Sequence, residues 1–185
     1  MKYEAEFNKW FEFIKRWEGG KSSDKTDLAS KTTKVRIHTN RGVIFPTWQA
    51  VRTLLGKDKS YDSFLKMSEL DHKEIAKYFW FTSGGDRWVN GNMAAFFAEE
   101  FWAGGAGALM FYQKNFGVNA DGIIGNKTAE AINFTCITSN NFWELLHEYK
   151  KIRYERIISK NPAQKRFEKG WDNRMQNFKE TFNKP

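Results

Sequence analysis

The chain has 185 residues, a formal net charge of +8, 41% hydrophobic residues and 17% aromatic residues. That length and aromatic content suit one folded region with a substantial core and exclude a disordered chain. A single Cys, Cys136, excludes an internal disulfide framework and a cysteine-based zinc cluster, and only 3 Pro leave no Pro-rich linker.

Basic residues concentrate in 15–57 and 140–185, whereas 58–139 is net acidic. A basic surface attracts polyanions, whether nucleic acid, anionic membrane or cell wall, and charge alone does not choose among them. The opening MKYEAEFNKWFEFIKRW lacks the apolar region and cleavage site of a signal peptide, and no run approaches the ~20 apolar residues of a membrane span. Synthesis in the cytoplasm, without a membrane span, is therefore expected. An extracytoplasmic substrate would be reached by a separate release route.

Phe7, Trp10, Phe11, Ile14 and Trp17 recur at helical spacing and predict an amphipathic first helix. Gly19-Gly20 ends it, which places Glu18 at the helix C-terminus, where the macrodipole disfavours negative charge. A carboxyl group there, beside Trp17, is expected to hold its proton more tightly than an exposed one. Residues 21–45 are polar and Lys-rich, with strand character at Val35-Arg36-Ile37 and Val43-Ile44-Phe45. Pro46 opens a helix from Thr47 to Leu55, and a short helix is expected around Ser60–Lys66.

Asp71 and Glu74 have capping-box spacing at the start of a helix running through Tyr78 and Phe79. Asn92 to Ala103 reads as the central buried helix, broken by Gly104-Gly105, with another from Ala106 to Phe116. A glycine-punctuated turn from Gly117 to Gly125 leads into a helix from about Lys127 to Asn133. Cys136, between apolar neighbours, reads as a buried thiol. From Asn140 to Phe182 two long helices are expected, Pro162 opening the second, with Phe167, Trp171, Met175 and Phe178 as its packing stripe.

The predicted fold is thus mainly α, with a small β element after the first helix. No phosphate-binding glycine loop occurs, and His38, His72 and His147 lack metal-ligand spacing, so neither cofactor nor metal is expected.

Three motifs in order carry a resemblance: Glu18-Gly19-Gly20 with Asp24-Lys25-Thr26-Asp27 and Thr39-Asn40-Arg41-Gly42-Val43; then Gln113 followed by Phe116-Gly117-Val118 and Asp121-Gly122-Ile123-Ile124-Gly125; then Phe167-Glu168-Lys169-Gly170-Trp171-Asp172-Asn173-Arg174. Together they resemble glycoside hydrolase family 108, small lysozyme-like muramidases of the type once labelled putative secretion activators, with a C-terminal predicted peptidoglycan region. Two departures stand out. Ala29-Ser30 occupies the place of a glycine pair, and about eight extra residues, Lys31 to His38, precede Thr39.

The resemblance implies a lysozyme-like fold, with 1–103 as the catalytic region and 104–185 as a peptidoglycan-binding region packed on it as one globular unit. It implies N-acetylmuramidase activity on the glycan strand of peptidoglycan, a monomer, and, for a phage-type lysin, release by a holin. Glycosidic cleavage needs an acid for the leaving oxygen and a carboxylate or activated water on the opposite side of the sugar. Glu18 takes the first role. Asp27 is the candidate for the second, with Asp24 its competitor, and Thr39 would help to hold a water. Asn40 would bind an acetamido group, and Tyr78, Trp80 and Gln113 would contact substrate. Two other readings remain open from the residues: a non-catalytic peptidoglycan-binding protein, and a helical nucleic-acid binder, for which no groove-reading motif is present.

Overall fold

A computed structural model describes residues 1–24, 31 and 33–182. Among them are eight α-helices: α1 (Glu4–Trp17), α2 (Phe45–Leu54), α3 (Tyr61–Leu65), α4 (Glu69–Thr82), α5 (Gly91–Asn115), α6 (Asn126–Thr138), α7 (Phe142–Lys160) and α8 (Glu168–Phe182). Two 3-10 turns, Gly85–Arg87 and Pro162–Phe167, precede α5 and α8. Three two-residue strands follow α1: β1 (Lys21–Ser22), β2 (Thr39–Asn40) and β3 (Val43–Ile44), antiparallel in the order β1-β2-β3. The expected mainly α architecture with a small β element after the first helix is borne out. No helix among the described residues is long and apolar enough to cross a membrane.

The chain gathers into two compact units, Asn8–Phe79 and Met1–Phe7 with Trp80–Pro185. The boundary read at 103/104 falls inside α5. In the Asn8–Phe79 unit, the α1 stripe buries Trp10, Phe11, Phe13 and Ile14. Trp48 of α2 and Phe64 of α3 are fully buried, their rings 6.0 Å apart in an edge contact. Pro46 sits in the first turn of α2, where its missing N–H costs no intrahelical bond. Ser60 caps α3 by accepting from the Ser63 N–H. The capping box of α4 lies three residues earlier than its sequence suggests: the Ser68 hydroxyl accepts from Asp71 N–H at 3.1 Å, and the Asp71 carboxylate accepts from Ser68 N–H at 3.0 Å. Serine at the cap position wins because its short side chain reaches the backbone directly.

Val35-Arg36-Ile37 is not a strand, contrary to its β-branched composition. The Ile37 N–H donates to the Tyr61 hydroxyl at 2.8 Å, a side-chain partner in place of a ladder one. Pairing starts at Thr39, with Ser22 and Ile44 as its partners.

In the other unit, α5 carries the longest buried run, Met93 to Glu100. Gly105 adopts φ 59° and ψ −156°, breaking α5 into two helical runs at the expected glycine pair. A Cβ at Gly104 would stand 2.7 Å from the Arg153 guanidinium, so glycine here lets a cation reach into the core. That cation belongs to a buried ion cluster. Glu100 pairs with Lys150 at 2.8 Å and Arg153 at 3.1 Å and accepts from the Tyr112 hydroxyl at 3.0 Å. Glu99 beside it accepts from Arg174 Nε at 2.5 Å and Nη2 at 3.2 Å, a two-pronged pair between α5 and α8. Burial pushes the Glu100 carboxyl up, but Arg153 and Lys150 outweigh it and hold the group at about 2. The two glutamates are accordingly structural. Cys136 is half-buried, with its thiol pushed up by partial burial.

The cluster makes the fold sensitive to the loss of one member. Lys150→Met leaves Glu100 short of a buried partner and should cost about 3–5 kcal/mol, measured by urea unfolding at neutral pH. The sign with pH follows from the lowered Glu100 value. Its contribution is complete above the ordinary 4.5 and is lost as pH falls towards about 2. Thermal unfolding of the parent should show that loss, and Glu100→Gln should flatten it.

Candidate active site

Glu18 continues the helical pattern one step beyond α1, its N–H donating to the Ile14 carbonyl at 2.8 Å. Gly19-Gly20 then turns the chain into β1. Across the sheet, β2 and β3 are joined by the two-residue turn Arg41-Gly42, with φ of 51° and 78°. Two successive left-handed residues make the tight hairpin whose twist matches the flanking strands. Glycine is at home there; arginine holds that conformation at a cost of about 1–2 kcal/mol.

The turn lies directly against Glu18. A Cβ built on Gly42 would stand 2.5 Å from Glu18 Oε2 and 2.6 Å from its Cδ. Gly42 is thus needed twice, for its backbone angle and for the space that the carboxylate occupies. Beneath the turn is His72 on α4, buried against the Phe11 ring at 5.2 Å. Burial, then the nearby Arg41 charge, pushes the His72 imidazole down to about 4. A neutral ring therefore underlies the hairpin.

Glu18, Gly19, Gly20, Lys21, Asn40 and Arg41 line an open cleft of about 490 Å³. One carboxylate, two cationic residues and glycine backbone on the same cleft can meet a polar ligand and move a proton.

Asn40 is buried, and its Nδ2 donates to the Phe64 carbonyl at 2.7 Å. Its amide nitrogen fastens β2 to α3, a role different from the expected contact with an acetamido group. Thr39 is held by His38. The His38 Nε2 is 3.0 Å from the Asp24 carbonyl, and its Nδ1 is 2.9 Å from the Thr39 hydroxyl. A carbonyl only accepts, so Nε2 carries the hydrogen and, in the neutral ring, Nδ1 accepts from Thr39. The Thr39 oxygen then keeps lone pairs for a further donor. His38 N–H donates to Ser22 O at 3.1 Å, so one residue clasps β1, β2 and Asp24 together.

Glu18, Asp24, Thr39 and Asn40 therefore belong to one β-hairpin neighbourhood, and Asp27 lies outside the described residues. Tyr78 is half-buried on α4. Trp80 is fully buried with the Phe7 ring 5.5 Å away, which leaves no face for a sugar. Gln113 is also fully buried. Its Nε2 donates to Asp121 Oδ1 and the Ile123 carbonyl, and its Oε1 accepts from Gly122 N–H at 2.7 Å. Trp80 is core, and Gln113 organises the Asp121-Gly122 turn; neither is placed to bind substrate. Sequence reasoning missed Lys21 and Arg41 as cleft-lining groups and His38 as the clasp. The signal for His38 was its place immediately before Thr39.

Residues 107–176 match the family described as "Predicted Peptidoglycan domain". The fold is that of SagA from Brucella abortus: 98% of each chain superposes with a TM-score of 0.74, at 20% sequence identity. No curated protein matches the chain significantly. The C-terminal segment is thus of a peptidoglycan-associated type, and the whole chain is SagA-like in fold.

Two outcomes test this geometry. Gly42→Ala should cost about 1–2 kcal/mol from the left-handed backbone alone. It should also displace the Glu18 carboxylate, visible in a crystal structure of the variant. By NMR the His72 ring should remain neutral down to about pH 4. Because that value is lowered from 6.5, its stabilising contribution is complete above 6.5 and is lost as pH falls through 4.

Proposed function

We propose that this protein is a peptidoglycan-degrading N-acetylmuramidase in which Glu18 is the general acid. The observation that carries the reading is the Glu18 carboxylate, seated against Gly42 on a polar cleft beside β2. The peptidoglycan-type segment at 107–176 supports the substrate, and the order of E-G-G and T-N-R-G around the cleft supports the chemistry.

In this mechanism the glycan strand lies in the cleft with its scissile oxygen at Glu18. The carboxylic acid gives its proton to that oxygen as the C–O bond breaks, so that the departing sugar leaves as an alcohol. A water adds to the oxocarbenium-like carbon from the other side. Its oxygen becomes the new hydroxyl and its proton passes to a second carboxylate, Asp27 or Asp24. Thr39, with its own hydrogen committed to His38, accepts from that water and orients it. The reaction needs neither redox change nor cofactor, and we place its action at the cell wall after release from the cell.

A non-catalytic wall-binding protein is the second reading. It is favoured by the family match at 107–176, which lies outside the Glu18 hairpin.

Clearing of purified cell-wall suspensions decides between them. Wild type should solubilise reducing sugar from the wall, and Glu18→Gln should lose about 10²–10⁴ in rate with unchanged thermal stability. A Glu18→Gln variant with near-normal turnover would remove Glu18 from the mechanism, and an inactive wild type would leave the binding reading. Of Asp27→Asn and Asp24→Asn, the one that costs about a hundredfold identifies the second carboxylate.

A further inference from the structure

The β2–β3 hairpin is strained at one residue. Both central positions of its turn have positive φ, and Arg41 is the one non-glycine residue with that sign among the described residues. Asn-Gly is the pair such a turn prefers, because asparagine tolerates the left-handed region better than arginine does. The turn has no room to relax. Asn40 and Val43 on either side of it are paired with each other, and the Arg41 N–H donates to the Gly20 carbonyl at 3.3 Å. A strained backbone, pinned from both sides at the edge of a cleft, points to a use for the side chain it carries.

The cations of the cleft are also uncommitted. Lys15, Arg52, Lys57 and Lys66 of the same unit each reach a carboxylate. Arg41 and Lys21 line the Glu18 cleft, and neither side chain has a hydrogen-bond or ion-pair partner among the described residues. Glu69 on α4 does not fill that place. Its carboxyl is lowered chiefly by the bond to Lys15 at 2.8 Å, and Arg41 acts on it only through its charge. Two unpaired cations on one cleft suit an anionic group, and the planar fork of arginine matches a carboxylate.

We propose that Arg41, assisted by Lys21, sets the specificity of the Glu18 cleft by taking a carboxylate carried on the muramyl residue of its substrate. This role rests on the muramidase reading of the cleft and adds what the cleft selects. Glycans with an acid on the sugar are preferred over uncharged N-acetylated chains of the same linkage. Two groups supply that acid: the lactyl carboxylate of a strand stripped of peptide, and the carboxylates of a peptide attached there. A lactyl group capped as an amide, or a chain of N-acetylglucosamine alone, supplies neither. Because the cleft is open, salt screens the attraction and keeps the discrimination modest.

Calorimetric titration of the full chain tests it, in a Glu18→Gln background so that no bond is cleaved. The first probe is a tetrasaccharide of alternating N-acetylglucosamine and N-acetylmuramic acid with free lactyl carboxylates. The others are its methylamide, its L-alanyl-D-glutamate conjugate, and the tetramer of N-acetylglucosamine. The parent should bind the free acid about tenfold more tightly than the methylamide or the uncharged tetramer, less so as salt rises. Arg41→Asn should raise Tm, because Asn-Gly suits the turn, and abolish that preference, whereas Arg41→Lys should retain part of it. A parent that binds acid and methylamide alike overturns the assignment, as does an Arg41→Asn variant that gains Tm and keeps the preference. The conjugate reports the source: binding as tight as the free acid assigns the peptide carboxylates as well, and binding as weak as the methylamide assigns the lactyl group alone. If wild type clears no wall while the parent keeps its preference, only the muramidase reading falls. If the parent binds none of the four, both fall.

Discussion

A carboxylate and a glycine share one small space beside the open cleft of the Asn8–Phe79 unit. Glu18 occupies the volume that any side chain at position 42 would need, and the left-handed Arg41-Gly42 turn is what brings the backbone there. The rest of that unit follows from keeping this contact. α1 must end at Trp17 so that Glu18 leaves the helix in the right direction. β2 must pair with β3 in the register Asn40↔Val43 so that the turn has only two residues. Asn40 then ties the hairpin to the carbonyl of Phe64, and a neutral, buried His72 supports it from α4. Each of these is an ordinary packing or hydrogen-bonding element, and their joint product is a carboxylate with one position.

The other unit solves a different problem by opposite means. Its core contains ionised groups, with Glu100 facing Lys150 and Arg153 where solvent does not reach. Such clusters give modest net stability because desolvation offsets attraction, but they penalise any packing that separates the partners. α5, α7 and α8 are thereby fixed in register, since Glu99 also binds Arg174.

The helices were legible in the sequence because their apolar residues recur at helical spacing and their ends carry Gly, Pro or Ser. The first helix, the glycine break at 104–105 and the proline-led α2 all follow from local rules that tertiary packing does not oppose. Val35–Ile37 misled because β-branched residues report a preference for extended backbone, and not whether a partner strand is present. Glu18 was legible through its helix-end position. Its contact with Gly42 was not, since 24 positions separate them and no periodicity joins them. Trp80 and Gln113 misled for a related reason. Residue type marks the capacity to bind sugar, whereas burial, which depends on distant segments, decides whether a face remains for it.

The His38 clasp bears on which side of Thr39-Asn40 can change in length. Asp24, Ser22 and Thr39 are all held by one residue, so the two ends of the stretch from Asp24 to His38 are joined through His38 itself. In general, closing a flexible stretch of chain costs an entropy that grows only with the logarithm of its length, about 0.6 kcal/mol for each doubling. Residues added before His38 would thus fall where polymer statistics make them cheap. The turn after Asn40 has no such freedom, since one residue more would push Gly42 off Glu18. Variation in length among such chains should accordingly collect on one side of Thr39-Asn40 and stay away from the other.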